Sequence, residues 1–302
     1  KLFVEAFELL VESGAEVIVL YSEEEFYNEL KNQSLENELI TFIKLTDKRY
    51  LHPFLVLITN IKQRKLIESY DAVIHFGNFG FKTKNKSLVL LQNVLPFVQQ
   101  NLKNVLLKYF INRSIKFSEY VIVQLKHMNE IIEKKYRDKI IEIGEIEEVI
   151  VDASNKSGKI VFFGSDIPNK NYDFMVKALQ TISQNSTITV INPPKNIKEF
   201  NCVYTETQDQ TLSVISENEI YLHASEHETV GLPIYEAQNL GLKIIIPKRP
   251  YSDYFKYENV FFYEYKNIDS AVQKIEEAKN LKLKHSKALL YNENWSKILE
   301  YV

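Results

Sequence analysis

SEHETVGLPIYEAQNLGLKIIIP, residues 225–247, contains the start of a helix and the strand that follows it. Pro233 suits the first turn of a helix, where a missing backbone N–H costs no hydrogen bond, and Gly241 suits the residue after its end. The apolar segment EIYLHAS, residues 219–225, leads into the stretch and is predicted to be a strand. Strand, loop, helix and strand in this order predict one repeat of an open parallel α/β sheet.

The rest of the chain repeats this alternation of strands and helices in two series. Most of the predicted strands are apolar along their whole length, which is typical of parallel strands covered on both faces. The polar segment DASNKSGK, residues 152–159, separates the two series. We therefore predict an α/β fold with one domain over 1–150, a second over 151–285, and a C-terminal helix over 286–302 that crosses back to the first domain. Because the chain opens on a helix, we expect the first strand of the first domain to be missing from the sequence.

Composition narrows the class of protein. The 302 residues carry a net charge of −3, which disfavours a dedicated nucleic-acid binder, and 45% of them are apolar, enough for a substantial core. A single cysteine, Cys202, excludes an internal disulfide framework and a multi-thiolate zinc site. We find no Cys/His cluster with metal-ligand spacing and no apolar run of about 18 residues, so we expect neither a bound metal nor a membrane span.

Basic residues concentrate in the segment 101–140, where nine lysines and arginines stand against four acidic residues. Two interpretations remain open. The segment is either the solvated face of ordinary helices, or a patch that contacts an anionic bilayer, where each basic group contributes roughly 1 kcal/mol.

Two glutamates, Glu228 and Glu236, stand on either side of the predicted helix start. A loop between strand and helix lies at the carboxyl edge of the sheet, where ligands bind, and the free N–H groups of the helix attract an anion such as a diphosphate. The carboxylate of Glu236 suits the paired hydroxyls of a ribose, and Glu228 is placed to reach a neighbouring sugar. The alternative is that Glu228 is a surface acid and that Glu236 only complements the helix dipole.

The same stretch resembles the signature of retaining GT-B glycosyltransferases, in particular glycosyltransferase family 4 (group 1): a serine, then E-x-x-G-L-P-x-x-E-A, a glycine and an apolar strand. The matching residues are Ser225, Glu228, Gly231, Leu232, Pro233, Glu236, Ala237 and Gly241. A second block, FFGSDIPNKNYDFMVKAL (162–179), is similar to the segment that opens the family's nucleotide-binding domain. Weaker likenesses, at 90–97 and 118–132, are to the acceptor domain of bacterial surface-polysaccharide enzymes.

The resemblance implies a GT-B architecture, in which two Rossmann-like domains with parallel sheets face a cleft. Residues 1–150 would form the acceptor-side domain and residues 151–285 the nucleotide-sugar-binding domain. At the donor site the resemblance implies that Glu228 contacts the donor sugar, Glu236 holds the ribose hydroxyls and Lys170 neutralises the leaving diphosphate. The further donor-binding residues that it implies are Gly164, Ser165, His227, Gly231, Leu232 and Pro233.

Three residues of the first domain are candidates on the acceptor side. His75, at the end of a predicted strand in VIHFGNFG, is placed to position an acceptor or the donor sugar, and we include it among the catalytic candidates. Gly77 gives a flexible loop at the same place, and Asn93 follows another strand before VLPF. The alternative for His75 is a polar residue satisfied by the local backbone.

One position departs from the family. The residue after Gly164 is usually an arginine, and here it is Ser165. The loss of one of two cations on a leaving diphosphate costs about 3 kcal/mol of transition-state stabilisation, unless Lys248 or Arg249 replaces it.

We therefore predict a retaining hexosyltransferase that moves a sugar from a nucleotide-diphosphate donor to a glycan or a lipid-linked oligosaccharide in surface-polysaccharide synthesis. It would act in the cytoplasm, with peripheral contact at the inner face of the membrane, and without a metal or another cofactor. Two alternatives stay open: a non-catalytic GT-B accessory or glycan-binding protein, which Ser165 favours, and a nucleotide-sugar epimerase of GT-B fold.

Overall fold

The chain divides into two units. The first contains Lys1–Glu145 and Glu293–Val302, and the second contains Ile146–Asn292, so the second is inserted between two segments of the first. The computed structural model describes residues 2–21, 40–44, 65–76, 78–99, 101–154, 158–182 and 186–302. The domain boundaries predicted from the sequence fall within the two strands along which the chain passes between the units.

The first unit is built on parallel strands. Its first two strands, β1 (Val17–Tyr21) and β2 (Ile40–Lys44), form a parallel pair. The next four form a parallel sheet in chain order: β3 (Ala72–Phe76), β4 (Lys86–Leu91), β5 (Tyr120–Val123) and β6 (Ile140–Glu142). The helices of this unit include α1 (Leu2–Glu12), α2 (Leu95–Val98) and α3 (Leu102–Phe117).

Strand β4 shows why this sheet is covered on both faces. Successive side chains of a strand point to opposite faces, so an all-apolar strand needs a packed layer on each side. Leu88 and Leu90 pack on one face in a cluster that includes Trp295. Val89 and Leu91 pack on the other face, where α3 covers them.

One segment of the first unit differs from its prediction, and another lies outside the described residues. Residues 125–137 are predicted to form one helix, but they form two short 3-10 helices, Lys126–Glu130 and Lys134–Lys139. The second of these buries no residue at all, and without an apolar face a short helix gains little from packing. The strand predicted over 54–60 lies outside the described residues.

The second unit contains a six-stranded parallel sheet. In chain order the strands of the unit are β7 (Gly144–Asp152), β8 (Ile160–Phe163), β9 (Ile188–Ile191), β10 (Asn201–Val203), β11 (Ile220–Leu222), β12 (Lys243–Pro247), β13 (Val260–Tyr263) and β14 (His285–Glu293). Its helices include α4 (Tyr172–Gln180), α5 (Gln208–Ser216), α6 (Leu232–Asn239) and α7 (Ile268–Asn280). The sheet order is β10-β9-β8-β11-β12-β13. Counted from β8, this is the doubly wound order 3-2-1-4-5-6, which reverses between β8 and β11.

A buried ion pair holds the amino ends of two central strands. The ammonium of Lys243 on β12 lies 2.6 Å from a carboxylate oxygen of Glu219, and both side chains are about 1% exposed. The same ammonium donates to the carbonyl oxygens of Ala278 (2.8 Å) and Leu281 (2.6 Å) at the end of α7. The second oxygen of Glu219 accepts the backbone N–H of Gly158. The pair is therefore fully hydrogen-bonded, which a buried charge requires.

The strands β7 and β14 form a two-stranded sheet at the passage between the units. The N–H of Asn294 donates to the carbonyl of Ile143 at one end (2.8 Å), and the N–H of Ala153 donates to the carbonyl of Lys284 at the other (3.1 Å). The two strands therefore run in opposite directions.

The C-terminal helix predicted over 286–302 is wrong for its first half. His285–Glu293 is strand β14, and only Trp295–Tyr301 is helical, as a 3-10 helix that belongs to the first unit. Ser286 is buried between exposed neighbours and Ala288 is buried two residues later, which is the two-residue period of a strand. In the described part of the chain, every helix is too short or too polar to cross a bilayer.

Candidate functional site

The predicted donor-site residues gather where the strand order of the second unit reverses. Strand β8 ends at Phe163 and continues into residues 164–170, and β11 ends at Leu222 and continues into residues 223–231. The two strands are parallel neighbours, so their carboxyl ends lie side by side. This edge of a doubly wound sheet is the place where its ligands bind.

Glu228 meets two nitrogen atoms at this edge. Its Oε1 lies 2.6 Å from Nζ of Lys170 and 3.1 Å from Nε2 of His223. The side chain of Glu228 is 12% exposed, whereas that of Lys170 is 35% exposed. Burial alone would raise the pKa of Glu228, but its polar contacts with His223 and Lys170 and the nearby positive charge lower that pKa to about 2. The carboxylate is therefore ionised at neutral pH.

The other ring nitrogen of His223 is hydrogen-bonded to the hydroxyl of Tyr221. This nitrogen, Nδ1, lies 3.1 Å from the hydroxyl of Tyr221, two residues earlier in β11. Burial lowers the pKa of the His223 imidazole, against the pull of Glu228, and burial raises the pKa of Tyr221 well above 10. The imidazole is therefore neutral and the phenol is protonated at neutral pH.

Asn169 fixes the loop that carries Glu228. Its buried side chain donates to the carbonyl of His227 (2.8 Å) and accepts the N–H of the same residue (3.0 Å), and its own carbonyl accepts the N–H of Glu226 (2.8 Å). Three hydrogen bonds thus tie this loop to the residue before Lys170. The imidazole of His227 lies 3.7 Å from Oε1 of Glu226, and burial lowers its pKa.

The start of α6 has the features of an anion-binding site. Gly231, the residue before the helix, has a φ of +78°, and a Cβ there would lie 3.1 Å from Cδ1 of Ile234. Glycine is therefore needed, and it has no side chain that could cap the helix N–H groups. Pro233 lies in the first turn, and the side chain of Leu232 is 43% exposed. Uncapped N–H groups at a helix start attract anions.

Glu236 lies on α6, in the turn that follows this start. Its Oε1 accepts a hydrogen bond of 2.7 Å from Nε2 of Gln208, at the beginning of α5. Among the described contacts it therefore meets a neutral amide rather than the group of Lys170, Glu228 and His223. The described ranges contain no group of three or more His, Cys, Asp or Glu residues that could hold a metal ion.

Gly164 and Ser165 follow β8 directly. A Cβ on Gly164 would lie 2.4 Å from Cα of Pro193, so the close approach of this backbone requires glycine. The N–H of Gly164 donates to the carbonyl of Ile191 (2.7 Å). The hydroxyl of Ser165 accepts the N–H of Ile167 (3.2 Å) and closes a local turn.

Lys248 and Arg249 are the two candidates for the missing cation, and both have partners. Nε of Arg249 donates to the carbonyl of Glu226 (2.9 Å), and its guanidinium lies 4.6 Å from the ring centre of Tyr265. Lys248 pairs with Glu264, and both of these side chains are more than half exposed. Arg249 thus borders the loop of Glu228, whereas Lys248 pairs on the surface.

The acceptor-side candidates make local contacts within the first unit. His75 is buried in β3 beneath Gly80, where a Cβ would lie 2.8 Å from its ring. Burial lowers the pKa of His75 to about 4, so its ring is neutral. The side-chain oxygen of Asn93 accepts the N–H of Leu95 (3.0 Å) and caps a turn. Gly77 lies outside the described residues.

Sequence reasoning missed His223, Tyr221 and Asn169. The segment EIYLHAS reads as an apolar strand, yet Tyr221, His223 and Ser225 occupy alternate positions and share one face. Polar groups in series on one face of a central strand are the signal that points to this edge. For Asn169 the only signal is its position directly before Lys170.

The chain was compared with family models, with curated proteins and with solved structures. No protein-family model matches the chain. Probable polyketide synthase 17 of Dictyostelium discoideum is 24% identical over 221 residues, which are 65% of this chain and 8% of that protein. The chain thus spans a small fraction of the curated protein that it matches.

Solved structures match over much more of the chain. WaaG, a glycosyltransferase involved in lipopolysaccharide biosynthesis, superposes with a TM-score of 0.63 at 12% identity, over 92% of this chain and 86% of its own. HepE of Anabaena, in complex with UDP and glucose, gives 0.61 at 12% identity, over 87% and 82%. TarM gives 0.55 at 16% identity, over 72% of this chain and 50% of its own length. With its two units on parallel sheets, the chain has the fold of the GT-B glycosyltransferases.

Proposed function

We propose that the protein is a retaining glycosyltransferase, which moves a hexosyl unit from a nucleotide-diphosphate donor to a glycan or a lipid-linked oligosaccharide in surface-polysaccharide synthesis. The observation that carries the proposal is the ion pair of Lys170 and Glu228 at the switch point of the sheet, 2.6 Å apart, beside the start of α6. Sugar transfer from a nucleotide develops negative charge on the diphosphate and positive charge on the sugar. This pair offers one group for each charge.

In the proposed reaction, the bond between the anomeric carbon and the diphosphate oxygen breaks ahead of the bond that forms to the acceptor hydroxyl oxygen, and the proton of that hydroxyl passes to the leaving diphosphate. Lys170 and the uncapped N–H groups of α6 would stabilise the leaving diphosphate. The ionised carboxylate of Glu228 would face the positive charge of the oxocarbenium-like sugar. An inverting transfer needs a general base that takes the proton of the acceptor hydroxyl. In the proposed reaction Glu228 stays ionised beside the sugar and is not that base.

The nucleotide side of the site is proposed around Glu236. Its Oε1 already accepts one hydrogen bond, from the amide of Gln208. The two hydroxyls of a ribose are donors of the same kind, and a carboxylate accepts both at once. HepE was solved with UDP and glucose, which supports a nucleoside-diphosphate sugar as the class of donor.

The acceptor side is proposed to meet an anionic bilayer through α3. Four apolar residues of this helix are between 51% and 88% exposed: Leu102, Val105, Leu106 and Tyr109. The helix carries four basic residues and no acidic one: Lys103, Lys108, Arg113 and Lys116. Exposed apolar side chains with basic neighbours are the means by which amphipathic helices lie on anionic bilayers. A lipid-linked acceptor is presented at such a surface.

Vesicles of phosphatidylglycerol and phosphatidylcholine test this contact. Co-sedimentation should fall as salt rises, and Leu102→Ser/Leu106→Ser should weaken it. The matched control is Ile150→Ser in the second unit, where Ile150 is 75% exposed. Equal binding by all three proteins, or binding that salt does not change, would remove the bilayer from the proposal.

A thermal-shift panel of UDP- and GDP-sugars tests the donor site. A nucleotide sugar at 100 times its dissociation constant should raise stability by about 2.7 kcal/mol, and Glu236→Ala should abolish this gain. The control is Glu217→Ala, an exposed glutamate beyond α5. If no nucleotide sugar stabilises the wild type, the donor site is refuted.

The second candidate is a GT-B accessory or glycan-binding protein without turnover. Ser165 favours it, because its hydroxyl closes a local turn and no second cation follows Gly164. Release of the nucleoside diphosphate in the presence of donor and acceptor separates the two, since only the enzyme releases it. A nucleotide-sugar epimerase would instead change the donor with no acceptor present.

A further inference from the structure

Tyr221, His223 and Glu228 form a continuous series of polar contacts behind the proposed donor site. Tyr221 lies in β11 and His223 directly follows that strand, with the hydroxyl 3.1 Å from Nδ1 of the imidazole. The other ring nitrogen, Nε2, lies 3.1 Å from Oε1 of Glu228, in contact but not aligned for a hydrogen bond in this structure. The imidazole is 6% exposed, so water does not replace either contact.

One tautomer of His223 suits both of its neighbours. The ionised carboxylate of Glu228 can only accept, so it favours a proton on Nε2, which leaves Nδ1 to accept from the protonated phenol of Tyr221. A neutral imidazole carries a single proton, and the hydrogen bond at one nitrogen decides that the proton sits on the other. The proton therefore sits on Nε2, next to the carboxylate of Glu228.

We propose that Tyr221 and His223 are positioning residues, which hold Glu228 by a neutral hydrogen-bond donor while Lys170 turns to the diphosphate of the donor. This inference rests on the proposed function. In the structure, Lys170 and His223 both meet the same oxygen, Oε1. A diphosphate attracts the charged ammonium of Lys170 away from Glu228, but it does not attract a buried neutral imidazole in the same way.

The groups that surround the imidazole are consistent with a neutral donor. Besides Tyr221 and Glu228, the ring of Tyr251 stands edge-on to it at 5.9 Å, and the charge of Lys170 opposes its protonation. The hydroxyl of Tyr251 donates to the carbonyl of Ser225 (2.7 Å) and does not compete for the ring. A charged imidazole at this place would be repelled by Lys170 and would compete with it for Glu228.

Transfer kinetics from pH 5.5 to 9 test the inference. His223→Phe should lower kcat about tenfold to a hundredfold, as loss of an orienting partner does elsewhere, and leave KM for the donor nearly unchanged. His223→Gln keeps an N–H donor and should recover most of kcat. Tyr221→Phe should lower kcat less than His223→Phe, whereas Tyr172→Phe, which removes a hydroxyl that donates to the carbonyl of Lys195, should not change it.

Nitrogen chemical shifts of the imidazole provide a readout that does not depend on activity. The chain has six histidines, and the signals absent from His223→Gln identify the residue. Nε2 should be protonated and Nδ1 unprotonated at pH 7 to 8, and Tyr221→Phe should mix the two forms. A proton on Nδ1, or a wild-type kcat in His223→Phe, overturns the inference. Absent transfer with the proton on Nε2 refutes the proposed function but not the contacts of Tyr221 and His223 with Glu228, so the two failures are distinguishable.

Discussion

Replacing Glu228 by glutamine should remove a pH-dependent part of the stability of the second unit. The pKa of this carboxyl is about 2 in the folded protein and 4.5 ordinarily. At about 1.4 kcal/mol for each unit of pKa, the difference amounts to about 3 kcal/mol at neutral pH. Because the folded-state pKa is the lower one, the contribution is full above pH 4.5 and is lost as the pH falls towards 2. About 2 kcal/mol of it should be gone at pH 3.

Urea unfolding at pH 7, 5, 4 and 3 measures this contribution in the wild type and in Glu228→Gln. Far-UV circular dichroism follows both units, while fluorescence of the single tryptophan, Trp295, follows only the first. The stability difference between the two proteins should be largest at pH 7 and should shrink by about 2 kcal/mol at pH 3. The fluorescence transition should be unchanged, and the exposed Glu217→Gln serves as the control. A difference that does not vary with pH would show that Glu228 is not held ionised, and the reasoning about the site would be wrong.

Three further outcomes are expected. Gly164→Ala should lower the stability of the second unit by about 1–3 kcal/mol in urea unfolding, because a Cβ would lie 2.4 Å from Cα of Pro193. Lys243→Met leaves the carboxylate of Glu219 buried without its partner and should lower the free energy of unfolding by about 3–5 kcal/mol. The double variant with Glu219→Met should recover most of this loss. Calorimetry of the wild type and the two variants measures both effects. His75→Phe should flatten the pH dependence of the free energy of unfolding of the first unit between pH 6.5 and 4. The buried imidazole, with its pKa of about 4, takes up a proton in this range only on unfolding, so the wild type loses stability as the pH falls. Tryptophan fluorescence in urea at pH 7 and 4.5 measures the difference.

The sequence predicts the class of fold because strand and helix periods differ. Apolar runs such as KIIIP (243–247) predict strands that are buried on both faces, and β12 is buried at every residue. Hydrophobic periodicity does not predict the order of the strands in the sheet, because that order depends on how the connecting helices pack. Within 286–293 the adjacent residues Ala288 and Leu289 are both buried, so the apolar pattern of this region suits a helix as well as a strand.

The site could be predicted only in part, and mainly through the resemblance. Lys170 and Glu228 are far apart in the sequence, and nothing in their local patterns shows that they meet. The structure joins them because β8 and β11 are neighbours. His223 escaped prediction because the segment 219–225 reads as a buried strand, whereas its role depends on which face carries Tyr221.

The antiparallel pair of β7 and β14 places the entry to the second unit beside its exit. The first unit is interrupted after Glu145 and resumes at Glu293, and Asn294 bonds to Glu145 (2.9 Å) and to Ile143 (2.8 Å) at this junction. A segment whose two ends meet can be cut out or replaced without rethreading the rest of the chain. The second unit is thus an inserted segment with neighbouring ends, so a different segment can be exchanged for it at two points that are close in space while the first unit keeps its chain order.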